Sequence, residues 1–148
     1  MLNDGDFLTL YGEFQSYLSY IDVRELTSLL YLSGIDVLDY VDKVPDNFVY
    51  GALVEEKYPF LTEDFHIREG IKEIGFQAFK SCKIIKRFFL PSTLTKIEDN
   101  ALCPINLREI YYNGTKKDWQ LKVEKENNWT NTSKLERLIF TDDIVELN

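Results

Sequence analysis

Two consecutive stretches of this sequence carry one apolar pattern: FHIREGIKEIGFQAFKSCKIIKR from Phe65 and FFLPSTLTKIEDNALCPINLRE from Phe88. Phe65 falls on Phe88, Ile67 on Leu90, Ile71 on Leu94, Ile74 on Ile97, Ala78 on Ala101 and Phe79 on Leu102, each twenty-three residues apart. The second copy loses one residue near Pro104, so Ile85, Phe88 and Leu90 recur at Leu107, Ile110 and Tyr112, twenty-two later. A short copy of this kind cannot bury its own apolar face; it buries it against the next copy. The period therefore predicts a stack, and a stack works through the surface it presents.

The chain of 148 residues suffices for one domain or for a short repeat array with capped ends. A hydrophobic share of 45% with 14% aromatics can supply a core, which excludes wholesale disorder. No apolar run reaches the ~18–20 residues of a membrane span. The acidic start MLNDGDFLTL lacks the basic segment of a signal peptide, so a cytoplasmic location is expected. Cys82 and Cys103 are too few for a disulfide framework or a zinc site and are expected as buried free thiols in the repeat. Charge is uneven. Residues 1–64 hold thirteen acids against Arg24, Lys43 and Lys57, a net −10 out of the total −8, which leaves +2 for residues 65–148. The division expected is an acidic, mainly helical head over 1–64 and a repeat body over 65–148.

Within the head, Phe14, Tyr17, Leu18 and Ile21 follow helical spacing. Asp22 with Glu25 reads as a capping box, Leu26, Leu29, Leu30 and Ser33 as one buried face, and Gly34 as the residue that ends the helix. Asp36 opens a second short helix over Val37–Val41, stopped by Pro45. Helices of this size are unstable alone but can cover the first turn of a stack. Val44–Gly51 reads as a truncated first unit, and 52–61 as the crossing into the first full copy, with Pro59 fixing the turn.

The run Ile71, Ile74, Gly75, Ala78, Phe79, Cys82, Ile85, Phe88, Leu90, Pro91 and Leu94 resembles, in order, the leucine-rich repeat of BspA-like proteins. The segment YYNGTKKDWQ resembles the closing turn of such arrays, and LERLIFTDDIVEL their ending. The likeness covers about residues 44–148. It departs from the pattern at Arg68, where proline is usual, at Glu98, where the repeat has glycine, and at the deletion near Pro104. It implies an α+β fold: a short solenoid of parallel strands with an N-terminal helical cap and a C-terminal capping helix and strand. It implies a binding scaffold of the kind found in bacterial, protist and phage proteins, with no catalytic residues and no cofactor.

Side chains alternate between the faces of a strand. With Phe88 and Leu90 inward, Arg87, Phe89 and Pro91 point out, as do Asp64, His66 and Arg68 one copy earlier and Glu109, Tyr111 and Asn113 one copy later. LERLIF repeats the spacing, with Leu135, Leu138 and Phe140 inward and Arg137, Ile139 and Thr141 outward. Stacking then makes two outward columns. One reads Asp64, Arg87, Glu109, Arg137; the other reads His66, Phe89, Tyr111, Ile139. Opposite charges in the first would hold register. The second is an apolar stripe, rich in the residue types that dominate binding hot spots. The candidate partner-binding residues are His66, Arg87, Phe89, Glu109, Tyr111, Arg137 and Ile139. The bland alternative is that the stripe packs only on itself, or lies under the Trp119–Trp129 segment.

Nucleotide, dinucleotide and zinc-hydrolase motifs are missing, no carboxylates have EF-hand spacing, and the single His66 has no nucleophile placed beside it. The basic group Lys80, Lys83, Lys86, Arg87 belongs to an acidic chain, a poor nucleic-acid binder. The expectation is a non-enzymatic, monomeric protein-interaction module, without metal, cofactor or direct nucleic-acid binding. The alternative is an acidic phage or mobile-element inhibitor that blocks a nucleic-acid-binding host protein through Asp36, Asp39, Asp42, Glu55 and Glu56. The strand at Leu138–Phe140 is expected to end the sheet, with Asp142, Asp143 and Glu146 guarding that edge.

Overall fold

The computed structural model describes residues 23–51, 58, 60–123, 128–130 and 134–147. The expected helix through Phe14–Ile21, the Asp22 cap, most of the 52–61 crossing and the acids Glu55 and Glu56 lie outside them. Helix α1 (Val23–Leu32) and a 3-10 turn (Val37–Asp39) precede β1 (Lys43–Val44). Then come β2 (Asp64–His66), β3 (Glu73–Ile74), β4 (Arg87–Leu90), β5 (Lys96–Ile97) and β6 (Glu109–Tyr112). Helix α2 (Lys116–Lys122), β7 (Arg137–Ile139) and β8 (Ile144–Glu146) complete the order. Helices and strands are mixed, and the strands form two sheets.

The period explains both sheets. Each copy contributes one strand to a five-stranded sheet, ordered β2-β4-β6-β7-β8, and the copies before the deletion contribute another to a three-stranded sheet, β1-β3-β5. All pairings are parallel except β7–β8, which is antiparallel. The three-stranded ladder was not foreseen from the sequence, because two-residue strands leave almost no alternation to read. Between the sheets, Phe65, Phe88, Ile110 and Leu138 form one buried row, Ile67, Leu90, Tyr112 and Phe140 a second, and Val44, Ile74 and Ile97 a third. One buried cluster runs from Leu26 to Phe140.

A third line of backbone bonds joins the bends after β1, β3 and β5. Asn47 N donates to Phe76 O at 2.9 Å, Gln77 N to Asp99 O at 3.1 Å, and Asn100 N to Asn128 O at 2.7 Å. Those three donors share a left-handed φ of 55°, so the bend itself repeats. The next left-handed position is Gly51 and then Ser81, at φ 53° and 64°. Twenty-three residues after Ser81 stands Pro104, whose ring locks φ near −65°. The copy that begins at Phe88 cannot make that bend, and this is where its residue is lost.

Two departures from the repeat pattern also find physical reasons. A side chain at Gly75 would meet Asp46 N at 2.6 Å and Val44 O at 2.7 Å, so the backbone of the preceding unit requires glycine. One copy later Glu98 N donates to Ile74 O at 2.9 Å, as Gly75 N does to Val44 O, but this slot carries a side chain; its carboxylate accepts Phe76 N at 2.9 Å and reaches Lys43 at 3.5 Å. Arg68, in place of proline, donates from Nε to Leu38 O at 2.6 Å and from Nη2 to Val41 O at 2.7 Å.

The head differs from the sequence reading in detail. Asp36 does cap the 3-10 turn, accepting Leu38 N at 3.0 Å, but the turn ends at Asp39 rather than Val41. Gly34 takes φ 87° after α1 as expected. The buried face of α1 is Leu26, Thr27 and Ser28, whereas Leu29 is 64% exposed and Ser33 lies outside it too. Arg24, bonded to Tyr50 O at 2.6 Å and Gly51 O at 3.1 Å, and Tyr31, whose ring sits 4.9 Å from Phe60, hold the helix in that roll.

At the other end the correction is larger. The strand at Leu138 does not end the sheet: the chain turns at Thr141–Asp143 and β8 pairs back on β7. Asp143 serves that turn, its backbone carbonyl accepting Phe140 N at 2.8 Å and its side chain accepting Ile144 N at 2.8 Å. Thr115 caps α2 by accepting Asp118 N, and Trp119 on that helix is fully buried against Tyr112, Phe140 and Trp129. Both cysteines are free and buried, with Cys82 Sγ donating to Val49 O at 3.0 Å.

Candidate functional site: the outer face of the five-stranded sheet

Register places the outward residues in line. Asp64, Arg87, Glu109 and Arg137 are successive Cα partners, and so are His66, Phe89, Tyr111 and Ile139. Since neighbouring strands lie about 4.8 Å apart, each column is a straight row of side chains at nearly the spacing of stacked rings.

The charged column is continuous. Arg87 Nη1 reaches Asp64 at 3.0 Å and its Nε reaches Glu109 at 2.9 Å. Arg137 Nη1 takes the other oxygen of Glu109 at 2.7 Å, and its Nε turns to Glu146 at 3.1 Å. Partial burial works against the charge of Glu109, but the bonds from Arg137 and Arg87 outweigh it and hold its carboxyl below the ordinary range. Glu146, read from the sequence as an edge guard, is the fifth member of this column. The sequence carries no firm signal for it: the apolar LIF and IV are separated by Thr-Asp-Asp, which lacks the glycine that marks a short hairpin loop.

In the second column the rings stack face to face. His66 and Phe89 centroids lie 4.3 Å apart at 13°, and Phe89 and Tyr111 4.5 Å apart at 8°. Ile139 is the next partner in register beyond Tyr111. The inner faces are thus covered by one another, and the column offers ring rims to the outside. Rims carry the positive part of the ring quadrupole. Such a row is a poor platform for stacking a base or a sugar, which need a free ring face. The Trp119–Trp129 pair does not cover it, since Trp119 packs on the inward Tyr112.

Beside the rings runs a groove of about 430 Å³, with Glu69, Asn113 and Thr141 on its far lip. Glu69 accepts Ser92 N and Oγ, both at 2.9 Å, and Asn113 Nδ2 at 2.8 Å. Partial desolvation opposes its charge, yet these donors keep its carboxyl below the ordinary range. The Glu69–Asn113 bond spans two copies and passes the intervening one. Pro91 in that copy, expected to point into solvent, is buried. Glu69 and Ser92 share one offset, but the polar row was missed because Asn113, which completes it, stands one place earlier in its copy.

Of the acids proposed for the head, Asp36 is half-buried and engaged as a cap, with desolvation pushing its carboxyl up. Asp39 and Asp42 are exposed. Among the described residues no group of three side chains is placed to hold a metal ion, and no helix is long and apolar enough to cross a membrane.

The BspA type leucine rich repeat region matches residues 58–148 in six copies. The chain therefore belongs to this leucine-rich-repeat family, whose domains suggest protein interaction. No curated protein and no solved structure matches the chain.

Proposed function

We propose that this protein is a non-enzymatic protein-interaction module, a short solenoid over 65–148 closed by the helical head of 1–64 and by α2 with the terminal hairpin. Its contact surface is the outer face of the five-stranded sheet, with His66, Phe89, Tyr111 and Ile139 at the centre and Arg87, Glu109 and Arg137 alongside. The observation that carries this reading is the aligned, partly exposed ring stack next to an open groove. Stacking fixes each ring before a partner arrives, so little side-chain entropy is lost on binding. The arginines are already neutralised within their own column, so they hold the surface flat and do not dominate recognition.

Phe89→Ala with Tyr111→Ala should preserve the fold while weakening a captured partner by about 2 kcal/mol or more, as truncated hot spots do. That loss should hardly change with salt. A folded double variant that binds the partner unchanged would overturn the assignment of the surface. The acidic-inhibitor reading makes the opposite prediction: binding that falls steeply with salt and is abolished by charge reversal at Asp39 and Asp42. Capping by Asp36 takes one carboxylate out of that surface.

A further inference from the structure

Among the described residues both columns stop at β2, the first strand of the five-stranded sheet, and neither is closed there. Asp64 has Arg87 on its β4 side; on its other side no strand pairs with β2 among the described residues. His66 lies flat on Phe89 with one face, so its other face looks away from β4, across the sheet edge. At that edge opens a second cleft of about 330 Å³, bounded by Asp64 and His66 from β2, by Asp36 and Asp39 at the 3-10 turn, and by Tyr31 and Phe60. Among the described residues the arginine lining it is Arg68, whose guanidinium is turned to the carbonyls of Leu38 and Val41.

Continuing the charged column by one step calls for a cation beside Asp64. Continuing the ring stack by one step calls for a flat group over His66. A guanidinium is both at once: it is planar, always charged, and stacks on aromatic faces while its N–H groups pair with carboxylates. An ammonium meets only the first demand. A second copy of this chain does not fit the place, because the column's far end is Glu146, and end-to-end stacking would set that acid against Asp64. Resting on the interaction-module reading, we infer that this cleft docks an arginine side chain projected by an extended segment of a protein partner.

The test is an NMR titration of the full chain with acetyl-Gly-Arg-Gly-amide and with the same peptide carrying citrulline, the neutral near-isostere of arginine. The arginine peptide should shift the amides of Leu38, Thr62, Asp64 and His66 at millimolar concentration, and the citrulline peptide should bind about tenfold more weakly or not at all. A lysine peptide should fall between them. Asp64→Asn should weaken the arginine peptide severalfold; Asp39→Asn gives the same reading should release of Arg87 unsettle the first variant. Equal binding of the citrulline peptide, shifts confined to β6–β8, or no shifts at all would overturn the proposal. Such a failure is separate from that of the interaction surface, because the Phe89→Ala/Tyr111→Ala variant reads partner binding on the outer face and leaves the cleft acids in place.

Discussion

The strands from β2 onward and the head residues 23–51 join their parts by different means. In the repeat body, successive copies are linked by backbone ladders in two sheets and along the bends, and the outward side chains are left to pair with one another. Where the head meets the body, the backbone ladder shrinks to β1–β3 and the bend beside it. Arg68 takes over the rest by reaching Leu38 and Val41, and inside the head Arg24 ties α1 to Tyr50 and Gly51 in the same way. A regular period lets one set of backbone bonds serve every neighbour. Where the period fails, long side chains bridge to whatever carbonyls lie within reach.

The sharpest way to break this comparison is to remove a body side chain and ask how far the damage spreads. Phe88→Ala empties a site with no exposure in the row Phe65–Phe88–Ile110 and should lower stability by about 3–5 kcal/mol in denaturant unfolding. Because one buried cluster continues into the head, the transition should remain single; two separate transitions would make head and body independent units.

Gly75→Ala strikes the seam itself. Its new methyl group would press on the backbone of Asp46 and Val44, which cannot rotate away, and should cost about 1–3 kcal/mol. Glu98→Ala at the same slot one copy later should cost less, because that slot already carries a side chain and the change removes only the carboxylate's bonds to Phe76 N and Lys43. Equal losses at the two positions would refute the packing account of that slot.

Arg68→Lys separates the two linking modes most cleanly. Lysine cannot reproduce a fork to two carbonyls, and a loss of about 1 kcal/mol is expected. Hydrogen exchange should quicken at Leu38–Asp42 and stay unchanged at Phe88–Leu90. Uniform quickening throughout would show that Arg68 supports the body as much as the head.

The smallest effect is a pH dependence confined to the body. The folded Glu109 carboxyl titrates below its ordinary range, so its contribution is complete above the unfolded value of about 4.3 and disappears as pH falls through the lower folded value. Denaturation midpoints of Glu109→Gln should therefore fall less steeply below about pH 4.3 than those of the parent chain. Parallel curves would mean that the Arg87–Glu109–Arg137 column contributes nothing measurable.

What the sequence determined by itself was the inside of the body and the register of its outer face. Phe65, Phe88 and Ile110 point inward, and Arg87 meets both Asp64 and Glu109, because in a stack of equal copies the local period fixes which residues become neighbours. The tertiary structure alone decided matters that involve unequal separations. The return of β8 puts Glu146 on Arg137, the Glu69–Asn113 bond spans two copies past Pro91, and the roll of α1 leaves Leu29 in solvent. No repeat spacing encodes those contacts. Each depends on where two chain segments of different length finally meet, and on which donor there finds an acceptor within about 3 Å.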